Sequence, residues 1–121
     1  MIRGVRGAVT VENNDAMEIV DATEMLLEEI IRVNEISPEY VASIFISVTE
    51  DITSDFPAKA VRRFEGWSFV PVMCMREIPV PNALKLCIRM MIHLNTSKLQ
   101  KDIEHVYLRG ATILRPDLLK Q

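Results

Sequence analysis

Arg6, Glu77, Arg89 and Tyr107 are the side chains of this chain whose types and settings best suit chemistry, with Lys59, Arg62 and Arg115 as outlying cations. Arg89 sits within Leu86-Cys87-Ile88-Arg89-Met90-Met91-Ile92-His93-Leu94, among apolar neighbours. A guanidinium does not shed its proton, so its burial costs on the order of several kcal/mol unless an anion meets it. That anion is either a core carboxylate or part of a ligand. Arginines grip carboxylates through paired N–H donors, and a glutamate or tyrosine can read a hydroxyl. The set offers no evident proton shuttle. It suits binding, or a reaction that needs only conformational restraint and charge stabilisation.

Other chemistries lack their signatures. There is no glycine-rich phosphate loop and no serine–histidine–aspartate arrangement. His93 falls in an apolar strand and His105 opens the last strand, so a core or surface role outweighs a catalytic one for both. Cys74 has no histidine nearby in sequence to activate it, which argues against a nucleophile. Cys74 and Cys87 give neither metal-ligand spacing nor a disulfide framework.

Charge narrows the ligand. Residues 1–55 hold 12 acids and 3 bases, whereas residues 56–121 hold 5 acids and 11 bases. The acids lie mostly along one amphipathic segment and predict a solvated helix face. The bases interleave with apolar strands. With no lysine-rich patch and only 6% aromatic residues, nucleic acid is a poor fit and a small, multiply anionic molecule a better one. No apolar run approaches the ~18 residues of a membrane span, and the chain opens as a strand without a signal peptide, so no membrane association and a cytoplasmic location are expected.

The positioning elements follow from periodicity. Residues 2–11 predict a strand with Gly4, Arg6 and Ala8 on one face and Arg3, Val5 and Val9 on the other, so that Arg6 projects from a floor of small residues. Asn13-Asn14-Asp15 begins a covering helix, with Met17, Val20, Leu27, Ile30 and Ile31 inward and Glu18, Asp21, Glu28, Glu29 and Glu35 outward. A short turn of helix starts at Pro38, and residues 42–49 predict a buried strand. Residues 56–64 form a short helix on which Lys59 and Arg62 share a face. Strands at about 68–76 and 85–95, turned by residues 79–82, and a last strand at 105–110 complete the series. The result is one α/β (α+β) domain over 1–121, at a length suited to a single core. Its mixed sheet of about five strands has one face under the long helix. Too little chain is left to cover the other face, so oligomerisation is expected.

Six blocks carry a family resemblance: Ile2-Arg3-Gly4-Val5-Arg6-Gly7-Ala8, Phe56-Pro57-Ala58-Lys59-Ala60-Val61-Arg62, Val70-Pro71-Val72-Met73-Cys74-Met75-Arg76-Glu77, Cys87-Ile88-Arg89, His105-Val106-Tyr107-Leu108 and Leu114-Arg115-Pro116-Asp117. In order and spacing the chain resembles the monofunctional, α/β-barrel type of chorismate mutase. The resemblance implies a homotrimeric pseudo-barrel with active sites between subunits. It also implies conversion of chorismate to prephenate, an intramolecular [3,3] rearrangement on the route to phenylalanine and tyrosine that uses no metal, cofactor or nucleophile.

The roles it implies are specific. Arg89 donates to the ether oxygen and reaches the enolpyruvyl carboxylate, which Arg6 and Tyr107 also hold. Glu77 and Cys74 read the ring hydroxyl, with Glu77 steadying the arginines. Phe56 and Ala58 form a wall, expected from the neighbouring subunit. Lys59, Arg62 and Arg115 lie at the mouth near the ring carboxylate, and Met73 and Leu114 contribute contacts. Met73 stands where a small polar residue is more usual, Pro81-Asn82 replaces a glycine-rich turn, and the tail after Asp117 is short. The competing reading is a non-catalytic trimeric binder of an aromatic-pathway carboxylate, which would share Arg6, Arg89 and Tyr107 but have little use for Glu77.

Overall fold

Alternation and capping set the elements in the computed structural model, which describes residues 1–114. Strand β1 (Ile2–Thr10) leads into helix α1 (Ala16–Asn34). Asp15 caps the helix by accepting the Glu18 N–H at 3.0 Å, and Glu18 reaches back to the Glu12 and Asn13 N–H groups. Strands β2 (Val41–Val48), β3 (Val72–Arg76), β4 (Cys87–Asn95) and β5 (Val106–Leu108) follow, with 3-10 turns at Pro38–Tyr40, Pro57–Arg63, Gln100–Asp102 and Arg109–Leu114.

The five strands form one mixed sheet in the order β3-β2-β4-β1-β5. β4 runs antiparallel to both β1 and β2, whereas the outer pairs β2–β3 and β1–β5 are parallel. Helix α1 lies on one face. Val5, Val9, Ile44, Ile46, Ile88 and Ile92 from the strands meet Ile19, Leu26, Leu27 and Ile30 from the helix, all fully buried. Gly7 permits a close approach, since a Cβ there would come within 2.5 Å of Ile30 Cδ1.

Several boundaries differ from expectation. Residues 68–70 turn instead of extending, closed by the Val70 N–H on the Trp67 carbonyl, so β3 starts at Val72. The last strand stops at Leu108 because Arg109 takes a positive φ of 54°, and Arg109–Leu114 winds into a 3-10 helix. Met17 is 64% exposed, not inward. At 3.6 residues per turn it sits roughly 120° from the centre of the buried arc.

The second face of the sheet is partly covered. Ala8, Cys87, Tyr107 and Ala111 make a small separate core, with Leu84 and Leu114 against it. Beyond that patch the same face leaves Phe45, Met73 and Met75 between 40% and 60% exposed. Among the described residues no helix is long and apolar enough to cross a membrane.

Candidate functional site

The register brings the candidate residues together on the helix-free face. Tyr107 pairs with Ala8, Ala8 with Arg89, Arg89 with Ser47 and Ser47 with Met75, so one row crosses all five strands. Directly paired residues share a face. The next row contains Arg6, Met91, Phe45 and Met73. Arg6 is flanked along β1 by Gly4 and Ala8, as the alternation predicted.

Arg89 corrects one expectation. Its apolar neighbours suggested burial, but its side chain is 48% exposed in this chain. Ile88, Met90, Ile92 and Leu94 take the face toward α1, leaving Cys87, Arg89, Met91 and His93 on the other. That second face alternates the apolar Cys87 and Met91 with the basic Arg89 and His93.

Glu77 supplies the anion. Its Oε2 accepts from Arg89 Nη1 at 3.1 Å and from the Ser47 hydroxyl at 3.0 Å. Its backbone N–H bonds the Val48 carbonyl, which extends the β2–β3 pairing past Arg76 and aims the carboxylate. Ser47 was missed by the sequence reading. The alternation Ser43, Phe45, Ser47 against Ile44, Ile46, Val48 could have marked it. Entry to β4 is held by Asp51, whose two carboxylate oxygens accept the Leu86 N–H at 3.0 and 3.2 Å, and Leu86 has a positive φ of 49°. In the preceding loop Asn82, at φ 66°, adopts the left-handed conformation that a glycine would otherwise supply.

A cavity of about 280 Å³ opens here, lined by Arg6, Ser47, Glu77, Arg89 and Tyr107 with apolar walls from Phe45, Met75 and Met91. Tyr107 is buried and Leu114 half-buried beside it. Arg115 lies outside the described residues.

The remaining candidates form a second group. Phe56, Ala58, Lys59, Arg62, Met73 and Cys74 line a cavity of about 520 Å³ between the 3-10 turn Pro57–Arg63 and β3. Cys74 pairs with Ile46, in the row that faces α1, so it does not meet Glu77 within the chain. Burial raises the Cys74 thiol above its ordinary pKa, partly offset by a backbone hydrogen bond from Ala58. Cys87 is pushed up to about 11, chiefly by burial. Phe56 is 67% exposed. Lys59 is paired with Asp55 at 2.9 Å, and that ammonium together with the Phe56 N–H holds the Asp55 carboxyl below its usual range. The loop before Phe56 is tied to the start of α1, where Asn14 Oδ1 accepts the Thr53 and Ser54 N–H groups.

Comparisons with known proteins give the family. The family model for chorismate mutase type I matches residues 2–118. The chorismate mutase AroH of Bacillus subtilis is 50% identical over 118 residues, spanning 98% of this chain and 93% of that protein. The AroH of Thermus thermophilus is 46% identical over 119 residues, spanning 98% and 97%. A solved chorismate mutase from Clostridium thermocellum superposes with a TM-score of 0.88 at 47% identity, covering 91% of this chain and 97% of that one. By sequence along nearly its full length and by fold, the chain belongs to the chorismate mutase type I family.

Proposed function

We propose that the chain, as one domain over 1–121, rearranges chorismate to prephenate in a cytoplasmic homotrimer whose active sites lie between subunits. The observation that carries this reading is the Glu77–Arg89 pair beside Arg6 and Tyr107, in a cavity on the incompletely covered face of the sheet. Arg89 donates to the ether oxygen, where negative charge grows as the C–O bond breaks. Arg6 and Tyr107 hold the enolpyruvyl carboxylate, which Arg89 also reaches. Glu77, fixed by Ser47, aims the Arg89 fork and accepts from the ring hydroxyl.

Two effects then lower the barrier. The site selects a compact chair-like conformer and so removes rotational freedom before the reaction. Fixed cationic donors stabilise charge that develops only in the transition state. Neither effect requires a proton shuttle, which fits a cavity furnished with donors and one paired carboxylate.

The split of the candidates into two cavities supports a site completed by a second copy. Phe56, Ala58, Lys59, Arg62, Met73 and Cys74 of one subunit wall the cleft over Arg6, Glu77, Arg89 and Tyr107 of the next, with Leu114 and Arg115 at its rim. The exposed Phe45, Met73 and Met75 give that contact an apolar centre. The test is direct: purified protein added to chorismate should abolish the substrate's ultraviolet absorbance and produce prephenate. Unchanged absorbance with a folded trimer would leave the non-catalytic binder as the better reading.

A further inference from the structure

We infer that His105 is a positioning residue for the carboxylate-holding pair Arg6 and Tyr107, acting through its Nδ1 atom. The inference rests on the proposed roles of those two residues. The parallel ladder between β1 and β5 begins only at Gly7 and Val106. One residue earlier, the Arg6 backbone N–H donates to His105 Nδ1 at 3.0 Å. A ring nitrogen thus stands where the next strand carbonyl would be. Because Nδ1 accepts, this imidazole is neutral with its proton on Nε2.

The placement matters because His105 governs both members of the pair. Tyr107 lies two residues beyond His105, and its partner Ala8 lies two residues beyond Arg6. One hydrogen bond therefore closes the end of the ladder and sets how far the Arg6 backbone stands from Tyr107. The segment carrying the histidine is itself anchored. Asn34, 2% exposed at the end of α1, donates through Nδ2 to the Glu104 carbonyl at 2.8 Å and accepts the Glu104 N–H on Oδ1 at 2.9 Å. This clamp leaves the residue before His105 no freedom to slide along β1.

Isosteric variants separate positioning from general stability. An asparagine carries its oxygen the same number of bonds from Cβ as histidine carries Nδ1, whereas the glutamine oxygen lies one bond further. His105→Gln and His105→Leu should raise KM for chorismate roughly tenfold, with a smaller change in kcat, as expected when a half-buried donor loses its partner. Both should also speed hydrogen exchange at the Arg6 amide. His105→Asn should restore most of the affinity and the amide protection. An Asn variant as impaired as the Gln variant would overturn the inference, as would an Arg6 amide that stays protected in His105→Leu. If the unmodified protein fails to turn over chorismate, the functional reading falls, while exchange at Arg6 still decides whether His105 holds β1.

Discussion

Arg89 is anchored through Nη1 by Glu77 and remains 48% exposed among the described residues, the arrangement expected of a donor kept ready for an incoming oxygen. In its proposed role the Arg89 interaction strengthens as the ether bond breaks, so removing it should strike kcat more than KM. By analogy with loss of one preorganised oxyanion donor, Arg89→Ala should cost roughly 10²–10³ in kcat. Arg89→Lys keeps the charge but loses the planar fork and should remain badly impaired. Steady-state kinetics on folded variants decides, and near-normal kcat in Arg89→Ala would reduce the Glu77 contact to a structural ion pair. Lys59 and Arg62 belong to the other group and should act by attraction. Neutralising either should raise KM more than it lowers kcat, with the larger defect at low salt. The thiols predict a negative result. Since burial raises both, neither is a thiolate at neutral pH, so kcat should show no step in the ordinary thiol range of about pH 8–9. Cys74→Ser should keep most turnover, and a folded but inactive serine variant would reopen covalent chemistry.

Between elements, β1 comes close to α1 at Gly7. Gly7→Ala would drive a methyl into Ile30 Cδ1 and should destabilise the fold by about 1–3 kcal/mol, measured by urea unfolding. A β1 displaced there also shifts Arg6, so KM should rise in parallel. Gly7 illustrates what was legible in the sequence and what was not. A glycine within a strand is compatible with a close approach, yet it does not say which helix residue fills the gap. The alternation around Arg6 was readable because β1 mixes small and bulky residues. That around Arg89 was not, because the apolar Cys87 and Met91 flank it on its own face of β4, so periodicity could not separate a buried arginine from one on an open face. The family resemblance supplied the residue set. It could not reveal that Cys74 and Glu77 point to opposite sides of the sheet, a consequence of odd spacing along an extended segment. Ser47, His105 and Asp51 do their work through particular partners, and a partner is visible only once the strands are in register.

At the scale of the whole molecule, the candidates divide between two cavities, and the proposed inter-subunit site ties activity to assembly. Sedimentation equilibrium at micromolar concentration should report three chains per particle, and a monomer with full activity would contradict the arrangement. Mixing offers a sharper test. In the proposed cleft, Arg89→Ala and Arg62→Ala chains, each expected to be impaired alone, damage opposite walls. Unfolded together and reassembled, they should form some clefts with both walls intact and recover a fraction of wild-type turnover. No recovery in verified mixed trimers would mean that both groups act within one chain.

The strand order also dictates when the protein can fold. β4, residues 87–95, lies between β2 and β1, so the middle of the sheet is among the last parts to leave the ribosome. Until it emerges, β1 and β2 have no strand to join them, and α1 has only half a surface to cover. Such long-range pairing places folding in the slower milliseconds-to-seconds regime of sheet-rich domains. Nascent chains ending near Leu84 should therefore remain open to protease, while chains extended past Asn95 become resistant. For most of its synthesis the polypeptide carries an unfinished sheet edge, and protection of that edge by chaperones is where expression of weakened variants should succeed or fail.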